Sequence, residues 1–371
     1  MNKDLLRVAF KPLTFVNRII KKKDIIFFYS NLGFRDNVKA FYDYLIENEF
    51  NKKYSIVVSA NDWKDFVSEA PDNVTFTDNK KGIFYFLKSK YAFYSFGKYP
   101  IKPSKDQIVV NLWHGMPLKK LGNMEKGLEK IDYNYFSYII STSKLFNPIL
   151  MKCFSCSESQ VVITGQPRND ELFAVDSKSD ESLRMGADKL IVWLPTYRDS
   201  EQVIPLPGFA ESDVKILNGK LKEHGMRMIV KIHPFQKVVG DLADYECIEF
   251  LTQDDLKKRK CSVYGLLRAA DALITDYSSV YFDYMLLDRP MAFTVGDLEK
   301  YDVDRGFTFE NPYDMMPGPY FTEPAEVLTF VESIAENRDE FRDKRRKVNE
   351  SVNYYKDGNS AKRIKEFVFG E

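Results

Sequence analysis

Three histidines occur in this chain of 371 residues, and two of them stand where short apolar runs end. His114 lies in Asn111-Leu112-Trp113-His114-Gly115-Met116-Pro117, and His233 lies in Lys231-Ile232-His233-Pro234-Phe235. An imidazole changes charge near neutrality, so it suits moving a proton to or from a reacting oxygen. Gly115 beside His114 lets a ligand approach the backbone; a hydrogen-bonded core histidine is the plainer alternative. His224 precedes Gly225 at an expected helix end, where a cation complements the helix dipole, and reads as structural.

Anion-binding candidates lie at similar places. In Thr275-Asp276-Tyr277-Ser278-Ser279 a strand ends and a helix begins. Ser278 and Ser279 can cap that helix, and its free N–H groups form an anion site. Thr196 to Arg198 and Lys231 also follow or end apolar runs. Arg198 and Arg305 suit phosphate because a planar guanidinium matches two oxygens at once; a surface ion pair is the alternative for each. No GxxxxGK[ST] or clean GxGxxG occurs, which weakens nucleotide-hydrolase and dinucleotide readings. No DxD-like pair follows a strand, Asp254-Asp255 being a weak candidate in a charged turn, so no metal is expected.

These residues need a scaffold that brings strand ends together. From residue 24 onward, short β-rich runs alternate with amphipathic ones. Strands are expected at 25–29, 55–59, 91–95, 108–113, 138–141 and 161–164, with a helix at 38–49. The aromatic run 83–94 is ambiguous in its first half. A polar stretch at 176–188 reads as a connector, after which the alternation restarts. Strands follow at 190–194, 226–232, 247–251, 272–275 and 291–295, and helices at 213–224, 263–270 and 280–287. Such alternation predicts two α/β domains, each a doubly wound parallel sheet, with ligands at the carboxyl ends of the strands. The expected division is 24–180 and 181–355, with a terminal helix at 356–371.

Acidic and basic residues balance at 54 each, which excludes a globally basic nucleic-acid binder. The four cysteines are too few for a disulfide framework, and the lone Cys153-x-x-Cys156 lacks a second pair, so reduced thiols are expected. No apolar run approaches the roughly 20 residues that span a bilayer. Residues 1–23 predict a basic amphipathic helix. Lys3, Arg7, Lys11 and Arg18 fall on one face at about 100° per residue. Leu5, Leu6, Ala9, Leu13, Val16 and Ile20 fall opposite, with Pro12 expected to kink or split the helix. Such a segment suits an anionic membrane surface or a docked position on the protein body.

Taken in order, the motifs make a pattern. Trp113-His114-Gly115, Thr164-Gly165-Gln166-Pro167-Arg168-Asn169-Asp170, Pro195-Thr196-Tyr197-Arg198 and Lys231-Ile232-His233-Pro234 come first. Thr275-Asp276-Tyr277-Ser278-Ser279, Phe282-Asp283-Tyr284, Asp304-Arg305-Gly306 and Pro317-Gly318-Pro319 follow. The set resembles the CDP-glycerol glycerophosphotransferase family, the teichoic acid primases and polymerases of Gram-positive bacteria and related capsule enzymes, over roughly residues 25–350. That resemblance implies a GT-B-like fold, two Rossmann-like domains facing a central cleft. It implies transfer of glycerol phosphate from CDP-glycerol to an acceptor hydroxyl, with CMP leaving. His114 is then the candidate general base and His233 the stabiliser of the pyrophosphate. Thr196, Arg198, Lys231, Thr275, Asp276, Ser278, Ser279 and Arg305 are expected on the donor phosphates. Trp113, Gly115, Lys119 and Lys120 are expected on the acceptor side, though a solvated basic face explains the lysines equally well. The implied partners are CDP-glycerol, a lipid-linked saccharide or polyol-phosphate acceptor, and an anionic membrane surface at the cytoplasmic face of the plasma membrane. No cofactor, metal or nucleic acid is expected; homo-oligomerisation stays open. CDP-ribitol as donor, a GT-B glycosyltransferase using a nucleotide sugar, and a binding-only protein are the competing readings.

Overall fold

The computed structural model describes residues 3–195, 208–232 and 245–370. Its chain divides into two units. One comprises Met1–Met116, Leu121–Asp170 and Tyr354–Glu371, and the other Pro117–Lys120 and Glu171–Asn353. The first is built on β1 (Lys23–Ser30), β2 (Ser55–Ala60), β3 (Val74–Thr77), β4 (Ser89–Tyr94), β5 (Ile108–Asn111), β6 (Tyr138–Ser141) and β7 (Val161–Ile163). They form one parallel sheet in the order β3-β2-β1-β4-β5-β6-β7. β1 is buried from Ile25 to Ser30, as a strand covered on both faces requires. Phe27 pairs with Val57 on one side and Ala92 on the other. The strand order therefore reverses between β1 and β4, the position at which open α/β sheets bind ligands.

The second unit repeats the plan with β8 (Lys189–Leu194), β9 (Met226–Lys231), β10 (Ile248–Leu251), β11 (Ala272–Thr275), β12 (Met291–Thr294) and β13 (Tyr320–Phe321). Its parallel order is β10-β9-β8-β11-β12-β13, so the reversal falls between β8 and β11. Trp193 pairs with Val230 and Ile274 across that point. The cores differ. In the first unit Phe28, Phe41, Tyr42 and Phe93 interlock, with Phe41 and Phe93 centroids 4.8 Å apart. In the second, Ile191, Val214, Leu217, Met228, Val230 and Ile274 pack on Trp193. Gly318 lies against β12, where a Cβ would come within 2.1 Å of the Met291 carbonyl oxygen.

Several boundaries depart from expectation. The first changeover falls at Asp170/Glu171, not 180/181. The stretch expected as connector contains a helix, Ser177–Arg184, fastened to the second unit by side chains. Arg184 holds Asp271 at 2.7 and 3.1 Å, and Arg268 holds Asp180 at 2.9 Å. The final helix, Ser360–Phe369, is not separate either. It returns to the first unit and places Ala361, Ile364 and Val368 in its core. The ambiguous run 83–94 resolves into the end of helix Asn79–Lys88 followed by β4.

The N-terminal segment forms one helix, Lys3–Ile19, that runs through Pro12 without division. Docking compensates for the proline. Asn17 is wholly buried and donates to the Lys102 carbonyl at 3.0 Å and to Gln107 at 2.8 Å. The Lys22 ammonium donates to Asn17 and to the Leu87 carbonyl, and burial lowers its pKa to about 8. This anchoring sets the expected apolar face toward the protein body and leaves the basic Lys11 and Arg18 exposed. Leu13, Val16 and Ile20 are half-buried, whereas Phe15 and Ile19 are 66% and 68% exposed. No described helix is long and apolar enough to cross a membrane.

Candidate active site

The loop that carries His114 begins where β5 ends. Asn111 accepts the Trp113 N–H on its side-chain oxygen at 3.0 Å, which turns the chain out of the sheet. Trp113 then adopts φ +47° and Gly115 φ +131°. The second conformation is open essentially to glycine alone, and the first costs a residue with a Cβ about 1–3 kcal/mol. The turn persists because side chains hold its carbonyls from outside. Asn37, wholly buried at the start of helix Asp36–Glu47, donates to the carbonyls of Leu112 at 2.9 Å and Trp113 at 3.1 Å. Arg168 donates through Nη1 to the His114 carbonyl at 2.9 Å and to Asp36 at 2.7 Å. The Arg168 N–H in turn donates to Asn37 at 3.1 Å.

The imidazole is clasped between rings. Phe96 stacks on it at 4.8 Å with 19° between planes, and the Trp113 ring lies 3.9 Å away. Nδ1 stands 3.5 Å from the Ser95 carbonyl oxygen. On the Phe96 ring, at 5.8 Å, sits the exposed guanidinium of Arg35. Asp36, Asn37, Arg35 and Phe96 carried no role in the sequence reading, and Arg168 was only a letter of a motif. The one available signal was the position of Asn31 to Asn37 just after the strand at the topological switch.

The second unit gathers a different set. Thr275, wholly buried at the end of β11, donates to the Leu194 carbonyl at 2.9 Å, and Thr294 donates to the Thr275 carbonyl at 3.2 Å. Asp276 is buried, while Ser278 and Ser279 are half-buried. Ser279 makes no cap on the helix Val280–Tyr284, contrary to expectation, because it has already adopted helical dihedrals. Tyr277 ties this turn to its neighbour: its ring lies 4.4 Å from Tyr301 and 5.7 Å from Phe307. Arg305, exposed, follows the helix Leu298–Asp304 in that neighbouring segment.

Lys119 and Lys120 belong to this group, not to the unit that holds His114. Backbone pairing places them there. Lys119 bridges Phe307, Lys120 donates its N–H to the Gly306 carbonyl at 3.0 Å, and Thr308 donates its N–H to the Leu118 carbonyl at 2.8 Å. The Lys119 ammonium lies 5.5 Å from the Tyr301 ring. Lys231 ends β9, half-buried. Thr196, Arg198 and His233 lie outside the described residues.

Among the described residues no cluster of histidine, cysteine, aspartate or glutamate could hold a metal ion. Burial pushes the Cys153 and Cys156 thiols up to about 12 and about 11, which suits inert thiols rather than ligands or redox centres.

The wall teichoic acid polymerase TagF superposes on this structure with a TM-score of 0.76, covering 99% of this chain and 96% of its own at 23% identity. The fold is of the GT-B type, with two doubly wound units. The teichoic acid poly(glycerol phosphate) polymerase of Staphylococcus epidermidis is 28% identical over 354 residues, 88% of this chain. This chain spans 47% of that polymerase's length. The teichoic acid glycerol-phosphate transferase of Staphylococcus aureus is 25% identical over 389 residues, 94% of each chain. The match to the family itself extends over residues 10–370, nearly the whole sequence. On that match, with the ordered motifs and the fold in agreement, the chain belongs to the CDP-glycerol:poly(glycerophosphate) glycerophosphotransferase family.

Proposed function

We propose that the chain transfers glycerol phosphate from CDP-glycerol to a hydroxyl of a lipid-linked or polyol-phosphate acceptor and releases CMP. The observation that carries this reading is the fastening of the His114 loop. A proton on Nδ1, directed at the Ser95 carbonyl, leaves the Nε2 lone pair to receive the proton of the acceptor hydroxyl. The hydroxyl oxygen then bonds to the β-phosphorus as the bond to the CMP oxygen breaks, and CMP carries away that electron pair. Ser278, Ser279, Lys231 and Arg305, with Thr196, Arg198 and His233, are assigned to the donor diphosphate, and the buried Thr275 and Asp276 to the turn that presents them. Lys119 and Lys120 join Arg305 in meeting its charge, so the reading needs no resident metal. Phosphoryl transfer depends chiefly on alignment and charge stabilisation, which such groups supply.

The test is CMP release from CDP-glycerol or CDP-ribitol in the presence of a lipid-linked acceptor, with and without a chelator. His114→Ala should lower turnover about 10²- to 10⁴-fold, the usual contribution of a general base, while donor binding persists. Near-normal turnover in that variant would sink the role given to His114, and loss on chelation would sink the metal-free reading.

The same reading places the protein peripherally on the cytoplasmic face of the plasma membrane. Phe15 and Ile19 stand exposed beside the exposed Lys11, Arg18, Lys21 and Lys23, the mixture that favours an anionic interface. Phe15→Ser/Ile19→Ser should weaken flotation with anionic vesicles about tenfold or more, since each apolar side chain buried contributes about 1.5–3 kcal/mol. Unchanged flotation would rule out this face.

A further inference from the structure

A cavity of about 670 Å³ opens in the first unit beside the N-terminal helix. Lys11 and Thr14 line it from the helix, Pro100 and Lys102 from the segment after β4, and Lys130 and Tyr135 from the long connection after β5. Two of these three segments also serve His114: Ser95 and Phe96 belong to the first, and His114 itself to the second.

Charges in the cavity are unevenly engaged. Lys102 is committed, with its ammonium 2.7 Å from Asp132, 2.5 Å from the Asn134 carbonyl and 4.6 Å from the Tyr135 ring. The Glu129 carboxylate accepts the Gly127 N–H at 3.0 Å, and backbone hydrogen bonds lower its pKa. Lys11 and Lys130 are exposed, and neither has an ion-pair partner among the described residues. The Thr14 hydroxyl accepts the Lys102 N–H at 3.2 Å, so its own proton remains to donate. Two ammonium groups and a hydroxyl donor lining one cavity suit the oxygens of a phosphodiester. Residues three and four apart share a helix face, so Phe15 and Arg18 continue the face that Lys11 and Thr14 begin. An apolar side chain exposed to water therefore borders a cationic cavity, the pairing expected where a headgroup and its acyl chains meet a protein.

We infer that this cavity is a binding site for the phosphate of a lipid headgroup, gripped by Lys11 and Lys130. The phosphate belongs either to a bilayer phospholipid or to the lipid-linked acceptor. The inference rests on the proposed membrane placement and not on the transfer chemistry.

The test compares the full-length Lys11→Gln/Lys130→Gln protein with a Lys64→Gln/Lys347→Gln control of equal charge change. Binding to phosphatidylglycerol vesicles, binding to phosphatidylcholine vesicles, and the KM for lipid-linked acceptor in detergent micelles are measured, with Tm as the check on folding. A tenfold or larger loss of phosphatidylglycerol binding relative to the control assigns the site to the bilayer phospholipid. Unchanged vesicle binding with a KM raised several-fold beyond the control assigns it to the acceptor. Variants indistinguishable in both assays overturn the inference. Absence of CMP release from the unsubstituted protein would instead count against the transfer reading, and the vesicle comparison would still decide the cavity.

Discussion

The two units share one strand order around their reversals but hold their candidate site loops differently. In the first, the loop after β5 is held by its backbone: the carbonyls of Leu112, Trp113 and His114 all accept from the buried side chains Asn37 and Arg168. In the second, the turn after β11 is secured by strand neighbours through Thr275 and Thr294, and its Ser278 and Ser279 are left half-buried. One site spends polar side chains on fixing where a single imidazole stands. The other keeps hydroxyls and cations on its surface. A general base acts only if held within a fraction of an ångström, whereas a diphosphate can be gripped by several donors with individual slack. Immobility in one unit and accessible donors in the other are what proton removal and anion binding respectively demand.

The largest expected effect falls on the fastened unit. Arg168 and Asp36 are only 7% and 16% exposed at the side chain, so removing one partner strands the other's charge. Arg168→Met should cost about 3–5 kcal/mol of stability. It also removes the donor on the His114 carbonyl. The double variant Arg168→Met/Asp36→Asn should recover much of the stability, because no buried charge is left unpaired, yet remain slow in turnover. Recovery of both together would mean that the pair serves folding alone, and the contrast between the units would lose its meaning.

Asn37→Ala is a gentler form of the same break. It removes the hydrogen bonds to two carbonyls and one N–H, each contributing about 0.5–1.5 kcal/mol net. The strained Trp113 turn should relax, so turnover is expected to fall more steeply than donor affinity. A change in KM for the donor with turnover intact would place Asn37 on the wrong side of the comparison.

None of this fastening was legible from the residues alone. His114 and the 275–279 turn were, because each is a local event: an apolar strand run followed by polar or small residues. Asp36 and Arg168 are 132 residues apart, and nothing in either neighbourhood predicts that they meet. Lys119 was misplaced for a related reason, since a four-residue excursion into the other unit leaves no break in hydrophobic pattern. β13 has two residues, too short to show a period, and β3 offers only Val74 and Phe76 between threonines, no continuous apolar run. The N-terminal helix and its body-facing side, with Leu13, Val16 and Ile20 half-buried, followed from periodicity, but its anchor is one buried polar residue, Asn17, that the apolar count ignores. Pattern reports which residues alternate; it does not report which distant partner claims them.

The smallest effect should appear at Thr275. Its hydroxyl donates to the Leu194 carbonyl across the switch point of the second unit, and the residue is wholly buried. Thr275→Val keeps the shape and removes one hydrogen bond, a loss of about 1 kcal/mol. The main chain of β11 stays paired with β8 and β12, so the turn should keep its course. Turnover should then stay within about twofold, and any functional change should appear in the KM for the donor. Equal damage from Thr275→Val and Arg168→Met would show that both site loops are held with the same stringency. A change confined to donor KM would show that the second unit tolerates slack where the first does not, and that the asymmetry between the sites is functional.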